Sequence, residues 1–553
     1  MADPENVPSP KLSVSEQAAQ LVQLDAKSRQ EMILAAANSL DLVRALSSET
    51  LLYTIKEIGA NDAVDLLALA APEQVRDILD LDCWRQDSLD DERLINWLLL
   101  LDEGGGSKLA EWFLHTDIEL LVLLVKRYFE VVRQVDIEDD RDFDQTEYFT
   151  FDDQYLLRFR GEPEPILHVL IERIRALDYR MYLYVLENSL FELESGLEEA
   201  AFRWRTARLE DHGYPTYEEA QDLFRFVPPE SVHLQPYTRA ALQMHFASGD
   251  EVVTPPDHAL ALLSQPASFF SRILAALPAE YLEQIGQELA YLTNIIVAAE
   301  GRDTGEIGEI RRCVEMAHDC VNIGLAFSAK ENESEAQHLL QSTQVRPFFQ
   351  VGRGLIQRLQ HQANQMAAQL HETGLPEWES YLDTPFRETA AGVRRRTPVF
   401  FMGLETPGEI VSRRFSRLSE IKQVQALLAQ IPMWLVVLQR WELLPEGKAP
   451  EGVTLAVLWN TAFARWVLES QVNVRALTRQ ELETLHEQLT PALLEERWNA
   501  FLVFAAEQIR FTHEEQAALE TLAGHARDMI EEVLVIDAKT VDLRFIEGLL
   551  IEE

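Results

Sequence analysis

Arg387, Arg394, Arg395, Arg396, Arg413, Arg414 and Arg417 crowd one stretch of a chain that is otherwise short of positive charge. A guanidinium group is planar, always charged, and carries five N–H donors in a fork that fits a carboxylate or a phosphate. Gly374, Pro376, Pro385, Pro398, Gly403, Pro407 and Gly408 break the same stretch, so residues 376–417 read as irregular chain rather than one helix. Arginines on such a segment are candidates to line a pocket for an anionic ligand or to dock an acidic partner. The competing reading is internal pairing, in which each arginine neutralises a carboxylate of a neighbouring helix. Position decides between the two: convergence on one open cleft means a site, and dispersal among carboxylates means structure.

A second candidate is acidic. Residues 136–147 carry a run of carboxylates, of which Asp139, Asp140, Asp142, Asp144 and Glu147 are candidate oxygen ligands for a divalent cation, Mg²⁺ or Ca²⁺. Their spacing lacks the order of an EF-hand loop, and the competing reading is a solvated acidic loop. Cys313, His318 and Cys320 supply too few soft ligands, without Cys-x-x-Cys spacing, for structural zinc, and read as core. His212, in Asp211-His212-Gly213-Tyr214, is placed to interact with a helix C-terminus. Gly104-Gly105-Gly106-Ser107-Lys108 lacks the phosphate-loop order, and Gly352-Arg353-Gly354 lacks the third glycine of a dinucleotide fingerprint. Neither His-Glu-x-x-His nor Gly-x-Ser-x-Gly occurs. No cofactor is expected.

These groups sit in a chain of 553 residues with 49 Lys+Arg against 92 Asp+Glu, a net charge of -43. Such a surface repels nucleic-acid phosphates and anionic lipid. The longest apolar runs, Ile118–Val125 and Ile431–Leu438, are too short to span a bilayer. The three cysteines do not form a disulfide framework, and the first residues lack the basic and apolar regions of a signal peptide. The expectation is a soluble cytoplasmic protein, with no nucleic-acid partner and no membrane insertion.

The elements that position the candidates read as helices. Residues 1–20, rich in proline and small polar side chains, are expected to be a disordered leader. Residues 21–135 read as short helices in succession. Asn61 is expected to cap one of them, Pro72 to open the next, Ser88 with Asp91 to cap a third, and Asp117 a fourth. Residues 136–165 hold the acidic run and then Tyr148–Phe159, whose aromatics flank Asp152-Asp153 and predict a β-hairpin. Helical regions follow over 166–250 and 251–375, and a C-terminal helical region over 418–553 whose tail docks on the body. The fold class is therefore mainly α: an N-terminal superhelical repeat array and a larger helical body, with one β-hairpin. Trp97, Trp112, Trp434, Trp441, Trp459 and Trp466 recur at helical spacing and read as core.

Two resemblances bear on this. Residues 61–80, with an acid-x-x-x-Leu-Leu helix followed by a Pro-Glu helix, resemble the repeats in the cytosolic domain of bacterial magnesium transporters. That resemblance implies a helical array and favours a divalent cation. Arg208-Leu209-Glu210-Asp211-His212-Gly213-Tyr214 with Glu219-Ala220 is similar to the signature of an uncharacterised bacterial family of unknown function, which implies no activity. Three functions stay open, in this order. The first is a scaffold or adaptor that binds another protein, since helical arrays present extended surfaces. The second is a sensor of a divalent cation or an anion. The third is an enzyme whose site is assembled from distant residues.

Overall fold

The computed structural model describes residues 13–22, 24–104, 107–137, 143–211, 213–234, 268–301, 304–445, 450, 452–536, 542–543 and 546–552. The chain divides into two compact units. Unit 1 comprises Met1–Arg225, His233–Val321 and Glu331–Phe348, and unit 2 comprises Phe226–Val232, Asn322–Lys330 and Phe349–Glu553. The described secondary structure is helical apart from three short two-stranded sheets.

Unit 1 begins with the array. Its helices are α1 (Val14–Val22), α2 (Ala26–Ala35), α3 (Ser39–Ala45), α4 (Ser48–Ile58), α5 (Val64–Leu69), α6 (Pro72–Asp82), α7 (Asp91–Glu103) and α8 (Ser107–His115). Odd-numbered helices pack in series on one another, α1 on α3 on α5 on α7, and even-numbered helices do the same from α2 to α8. Two stacked rows are what an α-solenoid requires, because a helix this short buries its apolar face only against its neighbours. The leader expected over 1–20 overlaps α1, so helix begins by Val14.

Helix ends in the array are closed by long side chains from other helices. Arg29 on α2 donates to the carbonyls of Leu21 and Val22 at the end of α1. Gln74 on α6 donates to those of Val43 and Leu46 after α3, and Lys108 on α8 to that of Ala70 after α5. The last carbonyls of a helix lack internal partners, so a buried end needs such donors. Pro72 opens α6 as expected, helped by Gln74, whose side-chain oxygen accepts from the Ala71 N–H at 2.8 Å. Two caps fall elsewhere. Asn61 lies in a 3₁₀ turn, Ala60–Ala63, and does not cap α5. Asp90, not Ser88, caps α7, because Ser88-Leu89 pairs with Trp84-Arg85 in a small hairpin (β2 and β1).

Helix α9 (Ile118–Tyr128) runs directly into strand β3 (Phe129–Arg133), followed by the short α10 (Gln134–Ile137). The hairpin turns at Asp152-Asp153 as predicted, with Asp153 at φ 58 and Asp152 Oδ1 accepting from the Gln154 and Tyr155 N–H groups. Its first arm contributes only Phe149, which exchanges two hydrogen bonds with Leu157. The fuller partner of β4 (Tyr155–Phe159) is β3, antiparallel from Phe129↔Phe159 to Arg133↔Tyr155. Residues 129–133 fall within the stretch, 21–135, that the sequence predicts to be helical. Phe129, Phe149 and Phe159 cluster there, and aromatic packing of this kind favours a pleated surface. Then come α11 (Pro165–Leu177), α12 (Tyr179–Phe191), α13 (Glu194–Asp211) and α14 (Tyr217–Phe224), the last capped by Thr216, whose side chain accepts from the Glu219 N–H. Helices α15 (Phe269–Ala275), α16 (Ala279–Glu300), α17 (Ile307–Ser328) and α18 (Glu333–Ser342) follow.

After the long α19 (Val345–Glu372), unit 2 holds α20 (Phe386–Arg394), β5 (Phe400–Phe401), β6 (Ser412–Arg413), α21 (Leu418–Arg440), α22 (Leu455–Glu469), α23 (Arg479–Gln488), α24 (Pro491–Ile509) and α25 (His513–Val535). A close approach requires Gly354 on α19, since a Cβ there would stand 2.6 Å from the Val227 carbonyl. Trp112, Trp434 and Trp459 are among the largest fully buried side chains, and Trp441, Trp459, Phe463, Trp466, Trp498 and Phe501 form one aromatic cluster. Among the described residues, Leu418–Arg440 alone is long and apolar enough to cross a membrane by length and composition. Half of its most apolar window is buried, and it packs on α20, α22 and α25.

Arg465 organises the C-terminal end. It is fully buried on α22, and its guanidinium donates to the carbonyls of Arg475 and Ala476 and to the carboxylates of Glu469 and Glu481. The tail then docks beside it, with the Leu477 N–H on the Leu550 carbonyl and the Glu552 N–H on the Leu477 carbonyl. Hydrogen bonds from Arg465 and from the Thr478 N–H pull the Glu481 carboxyl down to about 2 from 4.5. A carboxyl whose pKa is depressed in the folded state contributes stability above its unfolded pKa and loses it as the pH falls through the folded value. We therefore expect Glu481→Gln to abolish a component of acid destabilisation between pH 4.5 and about 2, measured as the urea midpoint against pH. Parallel pH profiles for the wild type and the variant would contradict this.

Candidate functional site

The arginines of 387–417 do not converge on an open cleft. Arg387 pairs with its neighbour Glu388 at 3.1 Å. Arg394 pairs with Glu379 and lies over the Trp378 ring at 5.7 Å. Arg413 and Arg417 do meet, but on a carboxylate: both reach Glu420, at 2.7 and 2.8 Å, and Arg417 also reaches Glu405 at 2.8 Å. Glu420 is fully buried and accepts from the Ser416 and Arg417 N–H groups as well. Burial would raise its pKa, but the hydrogen bonds from Arg413 and the backbone prevail and hold it low. Arg414 is half-buried beside this knot. Only Arg395 and Arg396 are exposed without a side-chain ion pair to another described residue. Of the two readings the sequence leaves open, the described ion pairs fit internal pairing, because the nearest anions to these arginines are the protein's own.

Of the acidic candidates, Asp139, Asp140 and Asp142 lie outside the described residues. Asp144 accepts from the N–H and hydroxyl of Thr146, and Glu147 pairs with Arg158 at 3.0 Å. Among the described residues there is no group of three or more His, Cys, Asp or Glu side chains placed to hold a metal ion. Cys313, His318 and Cys320 are buried in unit 1, where His318 Nε2 meets the Ser268 hydroxyl at 3.1 Å.

A further cluster of ionisable groups, which the sequence does not predict, lies in unit 1. It is built around the C-terminal half of α6. Asp80 takes a two-pronged bond from Arg208 on α13, at 2.6 and 3.0 Å, and Arg208 makes a second such bond to Asp117, which begins α9. Asp117 therefore holds an arginine rather than capping its helix through its side chain. Arg205 donates to the Asp80 carbonyl and lies against the Trp84 and Phe202 rings. Among the described residues of α13, only Arg203 with Glu199 forms a pair four residues apart on the helix itself. Asp82, also buried, accepts from Lys56 at 2.7 Å, Arg93 at 3.2 Å and the Trp97 indole at 2.7 Å.

Residues 304–306 close over Asp82. The Thr304 hydroxyl donates to the Leu81 carbonyl, Tyr53 donates to the Thr304 carbonyl at 3.1 Å, and Glu306 pairs with Arg93 at 3.1 Å. A Cβ on Gly305 would overlap the Asp82 carboxylate, which is why glycine stands there. Tyr53 and Tyr214 bond to each other, and burial pushes both phenols well up. Burial also raises the Asp80 carboxyl, against the pull of Arg208. The cluster thus joins Arg208 and Tyr214 of the 208–214 stretch to the array. Its carboxylates are each held by cations or N–H donors, so its chemistry is that of a clamp: it fastens α13 and the α16–α17 loop to α6.

What stands open is apolar. At the corner between α12 and α13, Phe191 and Leu193 are 68% and 74% exposed on either side of Glu192. Tyr184, one heptad before Phe191 on α12, is also exposed, as is Val135 of α10. Arg133 lies over the Phe191 ring and is held there by Asp136 and Glu187.

Residues 8–552 match a family described as a family of unknown function (DUF6178). No curated protein and no solved structure matches the chain. The likeness of residues 61–80 to magnesium-transporter repeats finds no support in these comparisons.

The clamp has a direct test. Arg208→Ala leaves the buried Asp80 carboxylate without its cation, and breaking a buried pair costs about 3–5 kcal/mol. Gly305→Ala should also destabilise by forcing the 304–306 segment off Asp82. Urea unfolding measures both, and wild-type midpoints for the two variants would show that the cluster does not hold unit 1 together.

Proposed function

The chain belongs to this family of unknown function, and we propose for it the role of an adaptor that docks a cationic protein partner at the α12–α13 corner of unit 1. The observation that carries the reading is the exposure of Phe191 and Leu193 around Glu192. Large apolar side chains held in water at adjacent positions mark contact surfaces. Aromatic anchors such as Phe191 and Tyr184 supply much of the binding energy where they become buried. The partner's sign follows from charge. With 92 acidic against 49 basic side chains, and many of the arginines engaged internally, the surface field is negative and attracts a basic protein at long range. The paired carboxylates described above argue against a catalytic centre among them. Three free, buried cysteines fit work in a reducing compartment such as the cytoplasm.

A second reading rests on Arg395 and Arg396, exposed side by side at the end of α20 and able to receive an anionic ligand. Inorganic phosphate added to the full chain distinguishes it, since a thermal shift removed by R395A/R396A would support that reading.

The adaptor reading is tested by immobilising the full chain and comparing capture from its native cells by the wild type and by the F191D/L193D variant. Both side chains already face water, so the variant is expected to keep the wild-type melting temperature. The proteins lost by the variant should be basic and should be released from the wild type by salt. Identical capture by the two chains would overturn the proposal.

A further inference from the structure

His318 on α17 has a hydroxyl on one side of its ring and a carboxylate on the other. Its Nε2 lies 3.1 Å from Ser268 Oγ, and its Nδ1 lies 3.6 Å from the Asp319 carboxylate. Ser271 Oγ is the next hydroxyl, 3.4 Å from Nε2. Ser268 stands immediately before α15 and 50 residues from His318 in sequence, so no local motif joins them. The imidazole is buried and packs on Phe270, with ring centroids 5.8 Å apart. A nucleophile within hydrogen-bond reach of a base, with the base faced by a third group, is the geometry of serine acyl transfer. It recurs on unrelated folds and is recognised by its geometry.

Capping accounts for only part of this. Ser268 Oγ accepts from the Ser271 N–H at 3.0 Å and so caps α15. A cap uses a lone pair of the oxygen and leaves the hydroxyl proton to be placed. His318 Nε2 is the base within reach of that proton. Asp319 decides which nitrogen is free to take it. A carboxylate facing Nδ1 favours the proton on that nitrogen, which leaves the Nε2 lone pair for Ser268. At 3.6 Å the contact is electrostatic rather than a hydrogen bond, and it favours the imidazolium that forms when Ser268 gives up its proton. Ser268 is nearer to Nε2 than Ser271 is, and it is half-buried where Ser271 is buried. Ser271 Oγ, 2.8 Å from Ser268 Oγ, steadies it.

We propose that Ser268 is the nucleophile of an esterase site, with His318 as its general base and Asp319 as a positioning residue. Ser268 Oγ adds to the carbonyl carbon of an ester while its proton passes to His318 Nε2. The tetrahedral adduct collapses, the alcohol leaves with that proton, and the acyl group stays on Ser268. Water then adds to the acyl carbon, and its proton passes to His318 Nε2. The second collapse releases the carboxylic acid and returns the proton to Ser268 Oγ. Each turnover thus consumes an ester and a water and yields an acid and an alcohol. The Phe270 ring beside His318 and the half-buried Phe269 suit an apolar acyl group. A net charge of -43 repels anionic substrates. The substrate class is therefore an uncharged or cationic carboxylic ester.

The test uses the full chain and two probes, a fluorophosphonate and p-nitrophenyl acetate. The fluorophosphonate should form a single Oγ–P bond with loss of fluoride, on the peptide that holds Ser268. The wild type should also hydrolyse p-nitrophenyl acetate. Ser268→Asn keeps a capping side chain but no nucleophile, and it should lose both reactions at an unchanged melting temperature. His318→Gln should slow both on the order of 100-fold, as loss of a general base does. Asp319→Asn should lower kcat for p-nitrophenyl acetate and leave KM near the wild-type value, which loss of a carboxylate that only packs would not do.

No phosphonate on the wild type, a phosphonate on any residue other than Ser268, ester hydrolysis retained by S268N, or an unchanged rate in H318Q would each overturn the proposal. If S268N fails to fold, the mapped residue and the H318Q rate decide alone.

Discussion

Arg465 and Arg208 show the constraint on which the molecule rests. A buried guanidinium costs several kcal/mol in lost hydration unless its donors are met. Arg465 meets two carbonyls and two carboxylates, and Arg208 meets two carboxylates, each with two bonds. The chain holds 49 cations against 92 acids, so a cation placed inside is one fewer to screen the surface. The same economy recurs in both units. Asp80 and Asp82 draw on Arg208, Lys56 and Arg93 in unit 1, and Glu420 draws on Arg413 and Arg417 in unit 2. The consequence is a protein whose positive charge is largely structural and whose excess negative charge is left facing water.

The array depends on the same donors in a different way. Helices as short as α3 and α5 cannot stand alone, and stacking buries their ends along with their faces. Arg29, Gln74 and Lys108 each cross from an even-numbered helix to close the carbonyl end of an odd-numbered one. Such side chains supply donors where a helix C-terminus is most negative. They tie the two rows together at intervals. The polar core of unit 1 is thereby closed, while Phe191, Leu193, Ile410 and Val411 stay exposed elsewhere.

Much of the fold was legible because it rests on local rules. Pro72 starts a helix where its backbone preference places it, and Asp152-Asp153 turns the chain where predicted. The failures share a cause. Asp117 has the chemistry of a cap but holds Arg208. Ser88 has the chemistry of a cap but lies in a strand. Arg205 and Arg208 have acids nearby on their own helix but reach to α6. In each case a partner distant in sequence offered a better bond than the local one.

The sequence by itself determined the helical class, the acidity and the aromatic cores, because these follow from composition and from periodicity within a few residues. It also singled out residues 387–417 by their arginines, and 208–214, with Arg208, by a resemblance to a family signature. Tertiary structure alone decided what those arginines do. A guanidinium fits a ligand's phosphate and an aspartate of its own chain equally well, and only folding set Asp80 and Glu420 within 3 Å of them.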